Sequence, residues 1–132
     1  MSLERMVPRS LMIVEDEPRL LHSLTFTLRR RGYDVLSAPH AEDALRLLAQ
    51  MKTPELIITD LQLPGMTGIE FIDALQHRQI QCRIVVMTAF PSTGVLSQLH
   101  TRGVTVILRK PFDIQELLLH VEAAFTGISH QN

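Results

Sequence analysis

The sequence predicts an α/β fold, a five-stranded parallel sheet with helices on both faces. Three observations carry that prediction. Five short apolar runs alternate with five stretches of helical periodicity, and such alternation gives a parallel sheet with right-handed crossovers. Four of the runs are nearly continuous aliphatic segments, as strands covered on both faces are. Polar residues of specific chemistry recur just past the carboxyl ends of the runs, where ligands collect in open α/β sheets.

Leu11-Met12-Ile13-Val14 is the first strand, and Glu15-Asp16-Glu17-Pro18 follows it. Proline suits the first position of a helix, and acidic residues suit its positive N-terminus. Leu20, Leu21, Leu24 and Leu28 then share one helical face, closed by Gly32. Arg29-Arg30-Arg31 reads as a solvated helix end, where cations are favoured. Tyr33–Ser37 is the second strand. Pro39 opens a second helix with Ala41, Ala44, Leu45, Leu48 and Met51 on one face. The third strand runs to Thr59-Asp60 and stops at a loop holding Pro64, Gly65 and Gly68. It is too short for a helix, and helix breakers end it. Gly68 leads into a third helix with Phe71, Ile72 and Leu75 inward. Arg83–Thr88 is the fourth strand. Pro91 opens a fourth helix with Val95, Leu96 and Leu99 inward, and Gly103 closes it. Gly94 weakens that helix by about 1 kcal/mol relative to alanine. Val104–Leu108 is the fifth strand, ended by Lys110-Pro111-Phe112. Asp113 lies in the first turn of a last helix carrying Ile114, Leu117, Leu118, Val121 and Phe125 on its apolar face.

The 132 residues suit one domain, and 45% hydrophobic residues supply its core. Residues 10–126 form that domain. Residues 1–9 are a flexible lead, with Met1-Ser2-Leu3 open to reading as an expression scar, and residues 127–132 a polar tail or the start of a linker cut short. The formal charge of −1 implies no broad pull toward nucleic acid. Cys82, the single cysteine, excludes an intrachain disulfide and a cysteine-rich zinc site. At a strand start it reads as a small core residue. The six histidines are scattered without metal-ligand spacing. Neither a secretory h-region nor a membrane-spanning run appears, so a cytoplasmic location is expected.

In a parallel sheet the strand ends share one edge. Glu15 and Asp16, Asp60, Thr88 and Lys110 should therefore converge from four strands. Each has a bland reading: helix capping, a turn aspartate, a β-branched strand residue, a solvated lysine. Their joint placement is what those readings leave unexplained. Clustered carboxylates suit a hard cation such as Mg²⁺, held by one or two of them with water and phosphate. A carboxylate can accept a phosphoryl group, a threonine hydroxyl can bond it, and a lysine ammonium supplies a compact positive charge.

The motifs Val14-Glu15-Asp16-Glu17-Pro18, Thr59-Asp60-Leu61-Gln62-Leu63-Pro64-Gly65-Met66-Thr67-Gly68, Met87-Thr88-Ala89 and Lys110-Pro111-Phe112 lie at strand ends in this order. On them the chain resembles a response-regulator receiver domain of two-component signalling, over roughly Ser10 to Phe125. The resemblance implies strand order 2-1-3-4-5. It implies that Asp60 is the phosphoacceptor and that Asp16, Asp60 and the backbone carbonyl of Gln62 contact Mg²⁺, with Glu15 acting through water. Thr88 would move to bond the phosphoryl group, and Lys110 would pair with it. The donor would be a sensor histidine kinase or phosphotransfer protein, and the output a downstream effector domain or protein. Such a chain is a switch with self-catalysed phosphotransfer and slow loss of the group, rather than a turnover enzyme.

The chain departs from the family's pattern at Ile107, where an aromatic switch residue usually stands, and at Val106, where an acidic residue often does. Both departures bear on the usual switch and on a homodimer built on the face of helix four, strand five and helix five. Gln98, Arg102, Glu116 and His120 mark that face. Phe90, two residues past Thr88, is bulky enough to shield the phosphoryl group from water. An aspartyl-nucleophile phosphatase of the haloacid-dehalogenase type is the rival enzyme reading, but its second acid falls on Gln62, which does no acid/base work. A receiver-like binding module that is not phosphorylated is the other alternative. No GxxxxGK[ST] run supports a P-loop.

Overall fold

Successive residues of a strand face opposite sides of a sheet, and in the computed structural model, which describes residues 8–126, both sides are covered. The elements are β1 (Ser10–Val14), α1 (Pro18–Arg30), β2 (Asp34–Ala38), α2 (Ala41–Gln50), β3 (Leu56–Asp60), α3 (Gly68–His77), β4 (Arg83–Thr88), α4 (Thr93–Thr101), β5 (Val106–Arg109) and α5 (Ile114–Thr126). The strands form one parallel sheet in the order β2-β1-β3-β4-β5. Leu11 and Ile13 of β1 pack with Leu24 and Leu28 of α1 and Leu117 and Val121 of α5. Met12 and Val14 pack the other way, with Ala44 and Leu48 of α2 and Phe71 and Leu75 of α3. A third cluster joins Val86, Ile72, Leu99 and Val104 under α3 and α4. Among the described residues, no helix is long and apolar enough to cross a membrane.

Caps set the helix boundaries. Pro18 opens α1 as expected, and the Glu17 carboxylate accepts the Leu20 N–H at 2.8 Å. Thr67 and Glu70 cap α3 reciprocally. Ser92, not Pro91, starts α4: its hydroxyl accepts the Val95 N–H at 3.2 Å. Helix α2 begins at Ala41, two residues past Pro39.

Strands β2 and β5 begin later than the sequence suggests, for one shared reason. Past α1, the Gly32 N–H bonds Arg29 O and the Tyr33 N–H bonds Leu28 O; past α4, Gly103 bonds His100 and Val104 bonds Leu99. Both are left-turning helix ends, with glycine at φ +93° and +80°. They use the amides of Tyr33 and Val104 as helix caps, so pairing in the sheet starts at Asp34 and Val106. Helix α3 ends the same way, but with Gln79 at φ +60° in the glycine position. Two expected core residues lie outside: Met51 sits past the end of α2 and is exposed, and Leu96 is exposed because α4 turns Leu99 and Val95 inward instead.

Candidate functional site

Parallel pairing brings the carboxyl ends of β1, β3, β4 and β5 to one edge, and Glu15, Asp16, Asp60, Thr88 and Lys110 stand there. Glu15 and Thr88 are fully buried, Asp60 is 3% exposed and Asp16 is half-buried. The backbone locks this edge: Leu61 N–H bonds Met87 O at 2.9 Å, and Lys110 N–H bonds Thr88 O at 2.8 Å. The Lys110–Pro111 peptide is cis. The Lys110 ammonium donates to Glu15 Oε1 and to Asp60 Oδ2, each at 2.6 Å. The other oxygen of each carboxylate has its own donor. Glu15 Oε2 accepts the Glu17 N–H at 2.9 Å, and Asp60 Oδ1 accepts the Gln62 N–H at 3.0 Å.

Burial pushes the Glu15 carboxyl up from its ordinary value, against the opposing pull of its hydrogen bonds to Lys110 and Glu17; the nearby Asp60 charge adds to the rise. Burial alone would lower Lys110, yet its bonds to Asp60 and Glu15 win and leave it raised, so it is held as an ammonium. Glu15, Asp16 and Asp60 each bring a carboxylate oxygen within 4.8 Å of the others'. Three carboxyl groups face one ammonium, so the cluster is rich in acid, and the donors are all hard oxygens. That set fits a small divalent cation.

Thr88 does not touch Asp60 through any hydrogen bond described. Its hydroxyl accepts the Phe90 N–H at 3.1 Å and sits against the Gln62 side chain. Phe90 itself is 73% exposed. Ile107 pairs in register with Val86 and packs into the aliphatic cluster of Leu61, Ile72, Leu99 and Val104.

Sequence reading missed three positioning features. The Gln62 amide bridges to Thr88, although β3 and β4 are neighbours and their ends could have suggested it. The Glu42 carboxylate of α2 accepts the Met66 N–H at 3.0 Å and so braces the loop beyond Asp60. Gly68 packs so closely that a Cβ there would lie 2.7 Å from the Asp60 carbonyl oxygen. Farther away, Arg102 makes a two-pronged ion pair with Asp73, at 2.6 and 3.1 Å, which ties α3 to the end of α4. A cavity of about 800 Å³ opens at the opposite sheet edge, lined by Cys82, Gln79, Arg83 and His120 among others; it holds none of the clustered residues. Cys82 is half-buried, and burial pushes its thiol up to about 11. It is no poised nucleophile.

A family model described as "Response regulator receiver domain" matches residues 11–122. Transcriptional regulatory protein PdtaR of Mycobacterium tuberculosis is 33% identical over 119 residues, which are 89% of this chain and 57% of that protein. The chain thus spans little more than half of that relative. Sporulation initiation phosphotransferase F of Bacillus subtilis is 27% identical, over 85% of this chain and 90% of that protein. Among solved structures, the chemotaxis response regulator CheY4 of Vibrio cholerae matches with a TM-score of 0.80 at 27% identity, over 89% of this chain and 99% of that one.

Proposed function

Because the chain belongs to the response regulator receiver domain family of two-component systems, we propose that Asp60 accepts a phosphoryl group and that the domain switches an output on receiving it. The observation that carries this reading is the buried Asp60 carboxylate, bound at one oxygen by Lys110 and flanked by Glu15 and Asp16. A carboxylate with an adjacent fixed cation is an oxygen nucleophile held ready for an incoming anion.

An Asp60 oxygen attacks phosphorus. The donor's P–N bond (a phosphohistidine) or P–O bond (an acyl phosphate) breaks, and its electron pair leaves with the donor. Lys110 balances charge on the phosphoryl oxygens, and the Thr88 hydroxyl donates to one of them. Glu15, Asp16, Asp60 and the Gln62 backbone carbonyl would hold Mg²⁺, whose chemistry here is charge neutralisation on the phosphoryl group. Gln62 bears no carboxyl to activate water, which suits a lasting acyl phosphate rather than rapid turnover. Phe90 limits water access once the β4–α4 segment draws in.

Receiver domains of response regulators work between kinases and effectors, and we take a cytoplasmic histidine kinase or phosphotransfer protein as the donor. The unit is residues 10–126, with 1–9 as lead and 127–132 as tail or linker; most of both flanks lies outside the described residues. The face of α4, β5 and α5, with Gln98 and Glu116 exposed, is the surface for an effector or a second copy. Ile107 there answers by aliphatic repacking, not by a ring swing.

Incubation with Mg²⁺ and acetyl phosphate, followed by intact-mass measurement, tests the reading. One phosphate-sized adduct is expected, absent in Asp60→Asn. No adduct, or one that persists in the variant, overturns it.

A further inference from the structure

The Thr88 hydroxyl is held between the Phe90 N–H and the Gln62 amide. A hydroxyl carries two acceptor lone pairs and one proton. Here one lone pair takes the Phe90 N–H at 3.1 Å, and the Gln62 amide lies against the hydroxyl with Nε2 at 3.0 Å and Oε1 at 3.2 Å, so that donation to Oε1 uses the hydroxyl's one proton. The same Oε1 lies 3.5 Å from the Ala89 N–H, a long contact. Gln62 therefore grips the start of the β4–α4 segment from across the strand end. Its own backbone N–H meanwhile bonds Asp60 Oδ1 at 3.0 Å. One residue thus touches Asp60 through its main chain and Thr88 through its side chain.

We propose that the Gln62 side chain is a latch on Thr88, which must open before Thr88 can donate to a phosphoryl group on Asp60. The inference rests on the reading of Asp60 as phosphoacceptor and adds a positioning residue to it. The logic is competition for one proton: the phosphoryl oxygen and Gln62 Oε1 cannot both receive the Thr88 O–H. An anionic acceptor makes the stronger bond, so the charged group wins, and the freed amide releases Ala89 and the segment beyond it. Gln62 is exposed to solvent, so water satisfies the amide once it lets go. The latch raises the threshold for switching without blocking it. Because the hold is a pair of hydrogen bonds partly open to water, its net worth is modest. Losing it should change the balance by roughly 3- to 10-fold.

Gln62→Met keeps the side chain's length and removes both polar atoms. Two measurements on the whole chain test the latch. The first is amide hydrogen exchange at Ala89 and Phe90 without any phosphodonor, a readout independent of phosphorylation. The latch predicts exchange faster by roughly 3- to 10-fold in the variant, with the folding equilibrium constant from urea unfolding lowered by no more than the same factor. The second is the apparent affinity for beryllofluoride with Mg²⁺. The latch predicts tighter binding by a similar factor, whereas a merely structural role for Gln62 would weaken it. Unchanged exchange at Ala89 and Phe90 overturns the latch whatever Asp60 does. Faster exchange with unchanged or weaker beryllofluoride binding overturns the competition. Failure of the wild-type chain to bind beryllofluoride overturns the phosphoacceptor reading itself, and the latch with it.

Discussion

Two glycines make a paired test of how this fold is packed. A Cβ on Gly68 would stand 2.7 Å from the Asp60 carbonyl oxygen and 2.7 Å from Leu61 Cα. Carbon contacts settle near 3.5 Å, so roughly 0.7 Å or more must open between β3 and the start of α3. Neither atom belongs to a side chain that can rotate aside. Helix α3 cannot simply back away, since Gly68 N–H bonds Leu61 O at 3.0 Å and Phe71 and Ile72 are fully buried. Overpacking of this kind costs about 1–3 kcal/mol. Alanine's better helix propensity returns at most about 1 kcal/mol, which leaves Gly68→Ala net destabilised by up to about 2 kcal/mol. At Gly94, in the first turn of α4, a Cβ would meet nothing within 4 Å. There the same substitution should stabilise by about 0.5–1 kcal/mol. Urea unfolding reads both: the midpoints should move in opposite directions with the slope unchanged. Because the displaced atom belongs to Asp60, Gly68→Ala should also slow phosphorylation by acetyl phosphate, by up to roughly 100-fold for a shift near 1 Å. A Gly68→Ala midpoint above wild type refutes the close-packing argument.

Other expectations follow from single contacts. Lys110→Met leaves Glu15 and Asp60 buried without their shared cation. Breaking a buried pair costs about 3–5 kcal/mol. The Lys110 side chain is 20% exposed, so solvent entry reduces the loss to about 2–4 kcal/mol. Urea unfolding without divalent ions should show this loss, and millimolar Mg²⁺ should recover part of it; a loss under about 1 kcal/mol would mean the ammonium is incidental. Gln79→Gly removes the strain of a side chain at φ +60°. It should raise stability by about 0.5–1 kcal/mol in thermal melts, and Gln79→Val should lower it. Cys82, raised from 9.0 to about 11, should alkylate at pH 8 about 100-fold more slowly in the folded chain than in urea. The folded state keeps a proton that the unfolded state gives up. Stability therefore falls as pH climbs from about 9 toward 11. Equal alkylation rates would show Cys82 to be freely solvated.

The aliphatic runs revealed the sheet because burial on both faces leaves little else a strand can be made of. Their ends were harder to see. Tyr33 and Val104 have strand-like side chains, but their amides close the helices before them, a choice settled by the positive φ of the preceding glycine. Leu96 looked inward by composition, and the facing of α4 decided otherwise. Edge placement of Glu15, Asp16, Asp60, Thr88 and Lys110 followed from strand alternation alone. Which of them touch did not. Lys110 choosing Glu15 and Asp60, and Gln62 reaching Thr88, depend on side-chain torsions and on the few ångströms separating neighbouring strand ends. Composition carries no record of either.

Glu15 illustrates how little freedom such an edge leaves to mutation. One of its oxygens receives Lys110, and the other receives the Glu17 N–H at the entrance to α1. The position is pleiotropic: each replacement is judged once by the charge cluster and once by the helix. Aspartate is a methylene too short to serve both partners. Glutamine offers one oxygen and turns an NH₂ toward a group that already donates. A substitution that alters the cluster's charge at this residue also removes a contact at the start of α1.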